Sequence, residues 1–375
     1  MKVAVVVAEC GAAGGAERFY SALAGALEQL GHDVELVSLP APEPDFETIC
    51  ANYQHFAELD LSDYDAVIST KAPTYAIRHP NHVVYLVHTV RAFDDMFESL
   101  FAPVEPEMAG KRQKLHGIDF EALCAAKKIF TIGHEVTDRL YKWRGLSSEV
   151  IHPPLAAEGF RNDGGGDYFF MPGRLHAWKR VSLVIEALKN SDLPMRLLIS
   201  GTGEEEKPLQ KLAADDKRIE FLGHIGDGEL VEYYAGALAV PFVPVREDYG
   251  YVTLEAFASG KPVLTCSDSG EPVRFVSPGE NGLLCTPSVE AVREGLEWLF
   301  QNPAEAAAMG QSGKKLVEGM SWSTVAETLI SAAVRTDDRL SDQAAPLRVT
   351  TLDMQPIDPP VGGGRLRLLG LYHNL

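Results

Sequence analysis

Short apolar runs, each bounded by turn residues and separated by helical stretches, recur in two series along this chain, and that repetition constrains the fold most. Residues 2–8 form a continuous apolar strand, the helical periodicity of 16–30 ends at Gly31, and further apolar runs fall at 34–38, 66–69, 83–87 and 129–131. Strands that are apolar along their whole length are those covered on both faces, and helical crossovers between them make a parallel sheet. The segment 151–167, with Pro153, Pro154 and Gly164-Gly165-Gly166, breaks the pattern and reads as a linker. A second series follows at 168–171, 196–200, 219–222, 239–243 and 262–265, with helical stretches between them such as 181–188. The expected architecture is α/β, with two doubly wound, Rossmann-like domains facing a central cleft. Ligands of such sheets bind beyond the carboxyl ends of the strands.

A chain of 375 residues accommodates this division. The expected domains are 1–155, an N-terminal acceptor-side domain; 156–335, a C-terminal donor domain whose last helix, 321–335, packs back on the first; and a tail, 336–375. The tail carries a strand-like segment at 348–354, Gly362-Gly363-Gly364 and a Leu/Arg-rich end, loosely repeating the order of the chain's start. It reads either as the start of a further domain cut off at Leu375 or as a flexible tail with a terminal helix.

The balance of charge excludes one class of partner. With 34 basic and 53 acidic residues the net charge is −19, a field that repels nucleic acid. The five cysteines are scattered without metal or redox spacing, which fits reduced thiols and a cytoplasmic location. The first apolar run is too short for a signal peptide, and no run reaches the length of a membrane span. Lys111, Arg112, Lys114, Lys127 and Lys128 form a cluster suited either to solvent or to peripheral contact with an anionic inner membrane face.

Four constellations carry chemistry. Glu247 and Glu255 are separated by seven residues in Glu-Asp-Tyr-Gly-Tyr-Val-Thr-Leu-Glu. Gly250 precedes a helical stretch, and Gly260 with Pro262 stops it, so Glu247 falls in a loop and Glu255 just beyond the first turn. A helix start offers free N–H groups and a positive dipole end to phosphate, and the flanking carboxylates accept hydrogen bonds from sugar hydroxyls. The second constellation is Pro172-Gly-Arg174-Leu-His-Ala-Trp-Lys179-Arg, where Arg174 and Lys179 offer a planar fork and a point charge to two phosphates. The third is the strand-to-helix loop holding Gly14 and Gly15, which reads either as a close approach to ligand or as a plain tight turn. The fourth is His88, polar at a strand's carboxyl end. Asp63-Tyr64-Asp65 reads as a solvated turn rather than a metal motif, and Gly201-Thr202-Gly203 as a turn after a strand.

As a set, and in this order, these motifs resemble the retaining glycosyltransferases of family 4, which have the GT-B fold. The resemblance runs over 1–335 and includes Phe-Leu-Gly-His-Ile225, Gly279-Glu-Asn-Gly-Leu-Leu and Ser321-Trp-Ser. It implies that Arg174 and Lys179 hold the donor diphosphate, Glu247 the donor sugar and Glu255 the ribose. It further implies that the backbone at Gly250, Tyr251 and Val252, with Tyr249 beside it, contacts sugar and phosphate, that Ile225 meets the base, that Gly14 and Gly15 face the diphosphate, and that His88 lies at the reacting centre. The catalytic set is then His88, Arg174, Lys179 and Glu247, with no metal and no cofactor besides the nucleoside-diphosphate sugar itself. The expected activity is metal-independent hexosyl transfer with retention, onto a glycan, lipid-linked or small-molecule acceptor, as in polysaccharide biosynthesis. The alternatives are a non-catalytic nucleotide-sugar-binding module of a larger tandem transferase and a nucleotide-sugar epimerase on the same fold.

Overall fold

The computed structural model describes residues 1–9 and 15–334. Gly14 and the tail 336–375 lie outside the described residues, and with them both readings of the tail.

The first series folds into strands β1 (Lys2–Glu9), β2 (Asp33–Pro40), β3 (Ala66–Lys71), β4 (His82–His88), β5 (Lys128–Thr131) and β6 (Glu149–Val150). They form one sheet in the order β2-β1-β3-β4-β5-β6, parallel at each pairing. The middle of β1 and all of β3 are buried, as their continuous apolar sequences require. Residues 151–167 form neither helix nor strand.

The second series gives β7 (Tyr168–Pro172), β8 (Arg196–Ser200), β9 (Ile219–Gly223), β10 (Val240–Pro241), β11 (Val263–Cys266) and β12 (Gly282–Cys285). Two parallel ladders, β7-β8-β9 and β10-β11-β12, meet where Phe169 bridges Ala239. The spatial order is therefore β9-β8-β7-β10-β11-β12, and it reverses between β7 and β10. That reversal is the crevice in which an open α/β sheet receives its ligand.

Two strands escape the apolar-run criterion. β6 is a two-residue edge strand, and β12 is an edge strand whose side chains are only partly covered. The run 239–243 is shorter as a strand than expected because Pro241 has no N–H to give to the ladder.

After the second series the chain returns to the first. The helix Trp322–Val334 packs on the helix Gly15–Gln29 and on β3 and β4. The Trp322 indole N–H donates to the Leu155 carbonyl at 3.1 Å, and its ring meets Phe19 edge-on. One hydrophobic cluster accordingly runs from Val3 and Leu23 through Phe257 to Leu329 and Ala333.

Candidate functional site

The loops that leave β7 and β10 lie side by side at the reversal point. In the first, a 3₁₀ turn over Ala177–Lys179 is capped by His176, whose Nδ1 accepts from the Trp178 N–H. The Trp178 carbonyl accepts from the Val245 N–H of the second loop at 2.8 Å. Arg180 fastens the two further. Its guanidinium donates to the Val243 and Pro244 carbonyls and to both oxygens of Asp268, at 2.6 to 2.9 Å. Arg180 takes a left-handed conformation, φ 49°, which is unfavourable for a side chain with a Cβ and is offset by these bonds.

Between those ties, Lys179 extends to Glu247, Nζ to Oε2 2.6 Å. Arg174 is exposed and makes no ion pair among the described residues. Gly250 stands at φ 81° as the N-cap of the helix Tyr251–Ala258. A Cβ there would meet Pro272 Cγ at 2.8 Å and a Phe242 ring carbon at 2.9 Å, so both conformation and space demand glycine. The Tyr251 and Val252 N–H groups that open that helix have no acceptor within it, while the Thr253 N–H donates to the Gly250 carbonyl at 2.9 Å. Glu255, on its second turn, accepts from the Tyr234 hydroxyl at 2.7 Å. Burial pushes the Glu255 carboxyl up from its ordinary value, with the Tyr234 bond opposing.

These groups share a cavity of about 450 Å³ whose walls come from both series of strands. The first series contributes Phe19, Tyr20, Val87, His88 and Ile132, and the second contributes Arg174, Lys179, Glu247, Asp248, Tyr251 and Glu255 among others. His88, the last residue of β4, gives its Nδ1 proton to the Thr89 carbonyl at 3.0 Å, and burial pushes its pKa down. The ring is therefore neutral, with Nε2 as the bare nitrogen. Asp248 pairs with the fully buried Arg139 at 2.6 Å. Burial works against the Asp248 charge, but Arg139 and Arg91 hold the carboxyl below its usual range. The Tyr251 hydroxyl has no partner among the described residues.

Of the sequence-predicted residues, His88, Arg174, Lys179, Glu247, Tyr249, Gly250, Tyr251, Val252 and Glu255 line this one cavity. Tyr249 contributes its ring only, because its hydroxyl is committed to the Pro153 carbonyl. Gly15 begins the helix that carries Phe19 and Tyr20. Ile225 stands beyond the end of β9, outside the cavity lining. Sequence reading missed Tyr234, Asp248 and the role of Arg180. Arg180 had a signal, since it abuts Lys179; Tyr234 had none, lying in a different helix from its partner.

Other motifs have structural uses. Asp65 accepts from the Lys2 N–H, and Tyr64 donates to Glu35, as in a plain turn. Gly201 and Gly203 back directly onto the loop after β7, where a Cβ would overlap the Gly173 and Leu175 carbonyls. Arg112 binds the Phe93 and Asp94 carbonyls, Lys127 binds Asn81 and the Ala333 carbonyl, and Lys111 and Lys128 pair with Glu107 and Glu149. Among the described residues no helix is long and apolar enough to cross a membrane.

Comparison with known proteins bears on the fold and on one domain of the chain. Residues 157–316 match the family model Glycosyl transferases group 1. D-rhamnosyltransferase WbpZ of Pseudomonas aeruginosa is 27% identical over 210 residues, 53% of this chain and 55% of that protein. The chain thus spans about half or less of the length of the curated relatives it matches. Sucrose-phosphate synthase from Thermosynechococcus elongatus superposes with a TM-score of 0.68 at 17% identity, covering 88% of this chain and 97% of the other. Anabaena HepE, solved in complex with UDP and glucose, superposes at 0.65 and 16% identity, covering 88% and 98%. The fold is GT-B.

Proposed function

We propose that this chain, a GT-B protein with a glycosyl transferases group 1 domain over 157–316, transfers a sugar from a nucleoside-diphosphate sugar to a glycan or lipid-linked acceptor with retention at the anomeric carbon. One observation carries the reading. Arg174, Lys179 and the start of the helix Tyr251–Ala258 converge on a cavity that also holds Glu247 and Glu255, at the sheet's reversal point.

In this reading the diphosphate lies against the helix start, where backbone N–H groups and the two cations stabilise the charge gathered as the glycosidic bond breaks. Glu247 accepts hydrogen bonds from the transferred sugar, and in doing so exchanges its contact with Lys179 for one with the ligand. Glu255 accepts from the ribose. Neutral His88 presents a hydrogen-bonding nitrogen to the reacting end without adding charge. The acceptor enters from the first series of strands, and a phosphate oxygen takes its proton on the same face. Cations of the protein take the place of a metal at the diphosphate. The work is placed in the cytoplasm, where nucleotide sugars serve as donors.

The test is a panel of nucleoside-diphosphate sugars followed by product analysis. A matching donor raises the melting temperature by mass action, and proton NMR of the product gives the anomeric configuration. An inverted product sinks retention, and turnover that depends on added Mg²⁺ or Mn²⁺ sinks the metal-independent step. Tight donor binding with no transfer to any acceptor favours a non-catalytic binding module.

A further inference from the structure

Behind the donor cavity, three potential ligands from distant parts of the chain meet. His134 begins the helix His134–Arg144, His152 lies just beyond β6, and Glu271 precedes the short helix Pro272–Phe275. One ligand atom from each lies within 4.8 Å of the other two. His134 Nδ1 stands 3.1 Å from Glu271 Oε1, and His152 Nε2 stands 3.9 Å from the same oxygen. None of the three lines the donor cavity. We propose that His134, His152 and Glu271 form a binding site for a divalent cation of the zinc type, which clips the two series of strands together.

The surroundings prepare these atoms as ligands. His152 donates its Nδ1 proton to the Ile132 carbonyl at 3.0 Å, which leaves Nε2 as the nitrogen with a free lone pair. Its ring is fixed between Tyr249 and Phe275, centroids at 5.9 and 5.1 Å. The second oxygen of Glu271 accepts from the Glu135 N–H at 2.8 Å, so the carboxylate is oriented with Oε1 toward the imidazoles. Its side chain is fully buried, and the approach depends on Gly133, where a Cβ would lie 2.6 Å from the Glu271 carboxyl carbon. His134 is half exposed and gives a cation its way in.

Two imidazole nitrogens and one carboxylate oxygen are a zinc-type donor set. Bonds of about 2.0–2.1 Å in tetrahedral geometry place ligand atoms about 3.4 Å apart, close to the 3.1 and 3.9 Å seen here. Only small side-chain adjustments are needed, and the fourth position is left to water. The site is coupled to the donor loop, since the Glu271 N–H donates to the Glu247 carbonyl at 2.9 Å. The cation's role is to fix that loop and the lobes around it, apart from the bond-breaking chemistry.

The test uses the full chain, stripped with a chelator and titrated with ZnCl₂ without nucleotide. One equivalent binds at micromolar concentration or tighter, and Co²⁺ in its place gives the intense visible bands of four-coordinate cobalt. His134→Ala, a half-exposed position that keeps the fold, weakens binding at least tenfold, as does His152→Ala. Glu271→Gln abolishes it. The donor-induced thermal shift persists in His134→Ala, so failure here is distinguishable from failure of the transferase reading. Absence of stoichiometric Zn²⁺ binding overturns the proposal. So does an affinity unchanged in both histidine variants, or a six-coordinate cobalt spectrum.

Discussion

Lys179 and Glu247 are 68 positions apart in sequence and 2.6 Å apart in space, a cation and an anion that hold each other where a donor's phosphate and sugar would lie. Each is partly exposed, so their mutual attraction adds about 0–1 kcal/mol to stability. Their worth in the proposed function is in what each does when a ligand separates them.

Lys179→Ala therefore lowers kcat/KM by about 100-fold or more, the scale of a lost group that stabilises charge in the transition state. The melting temperature changes by no more than about 2 °C. Steady-state kinetics beside a thermal melt checks this. Wild-type turnover in the variant removes Lys179 from the mechanism.

Glu255 trades stability for binding. Burial raises its carboxyl above the ordinary value of 4.5, so the folded state holds that proton more tightly than the unfolded chain does. The sign follows: this group's contribution is most favourable below pH 4.5 and is lost as pH rises through the raised folded value. Glu255→Gln is then as stable as wild type at pH 7 or a few degrees more so, and the gain disappears toward pH 4. Binding of the nucleoside diphosphate weakens by about tenfold. Melting curves at several pH values, with titration calorimetry, read both effects.

Asp94 and Asp248 show the opposite linkage. Despite burial, both carboxyls are held below the ordinary value of 3.8, Asp94 by His116 and Arg144, Asp248 by Arg139 and Arg91. Their contribution is present above about pH 3.8 and is lost as pH falls through the folded values. Arg144, which also meets Asp119, is buried with them. Arg144→Ala removes the cation that Asp94 and Asp119 share, leaving Asp94 to His116 and Asp119 to the Tyr53 and Tyr75 hydroxyls, and costs about 3–5 kcal/mol. Denaturant unfolding at pH 7 measures the loss, and the variant's deficit narrows at pH 3. A deficit that is flat with pH would assign the loss to packing instead.

Gly250→Ala forces a side chain into left-handed backbone and against Pro272 and Phe242. The expected cost is about 1–3 kcal/mol with a matching fall in melting temperature, and donor affinity drops along with it because the helix start is displaced. A variant with normal donor binding would show that the start of this helix is not the phosphate seat.

Legibility of the site followed the range of the interactions. Arg174 with Lys179, and Glu247 with Glu255, lie in short segments whose glycines and helix signals place them locally, and all four line one cavity. Strands buried on both faces were readable because burial imposes a continuous apolar run. Edge strands such as β12 were not, since a half-covered four-residue strand carries little pattern. Tyr234 beside Glu255, Arg139 beside Asp248, and the meeting of His134, His152 and Glu271 arise only once the chain has folded. No local spacing encodes them.

The return of the helix Trp322–Val334 to the first series of strands means that the polypeptide passes between the two lobes twice, once through residues 151–167 and once just before Trp322. A single connection behaves as a universal joint, whereas two parallel connections behave as a pair of door pins and leave essentially one axis of rotation. A swing about that axis changes the separation of His88 and Lys179, which face each other across the cavity, along a single path.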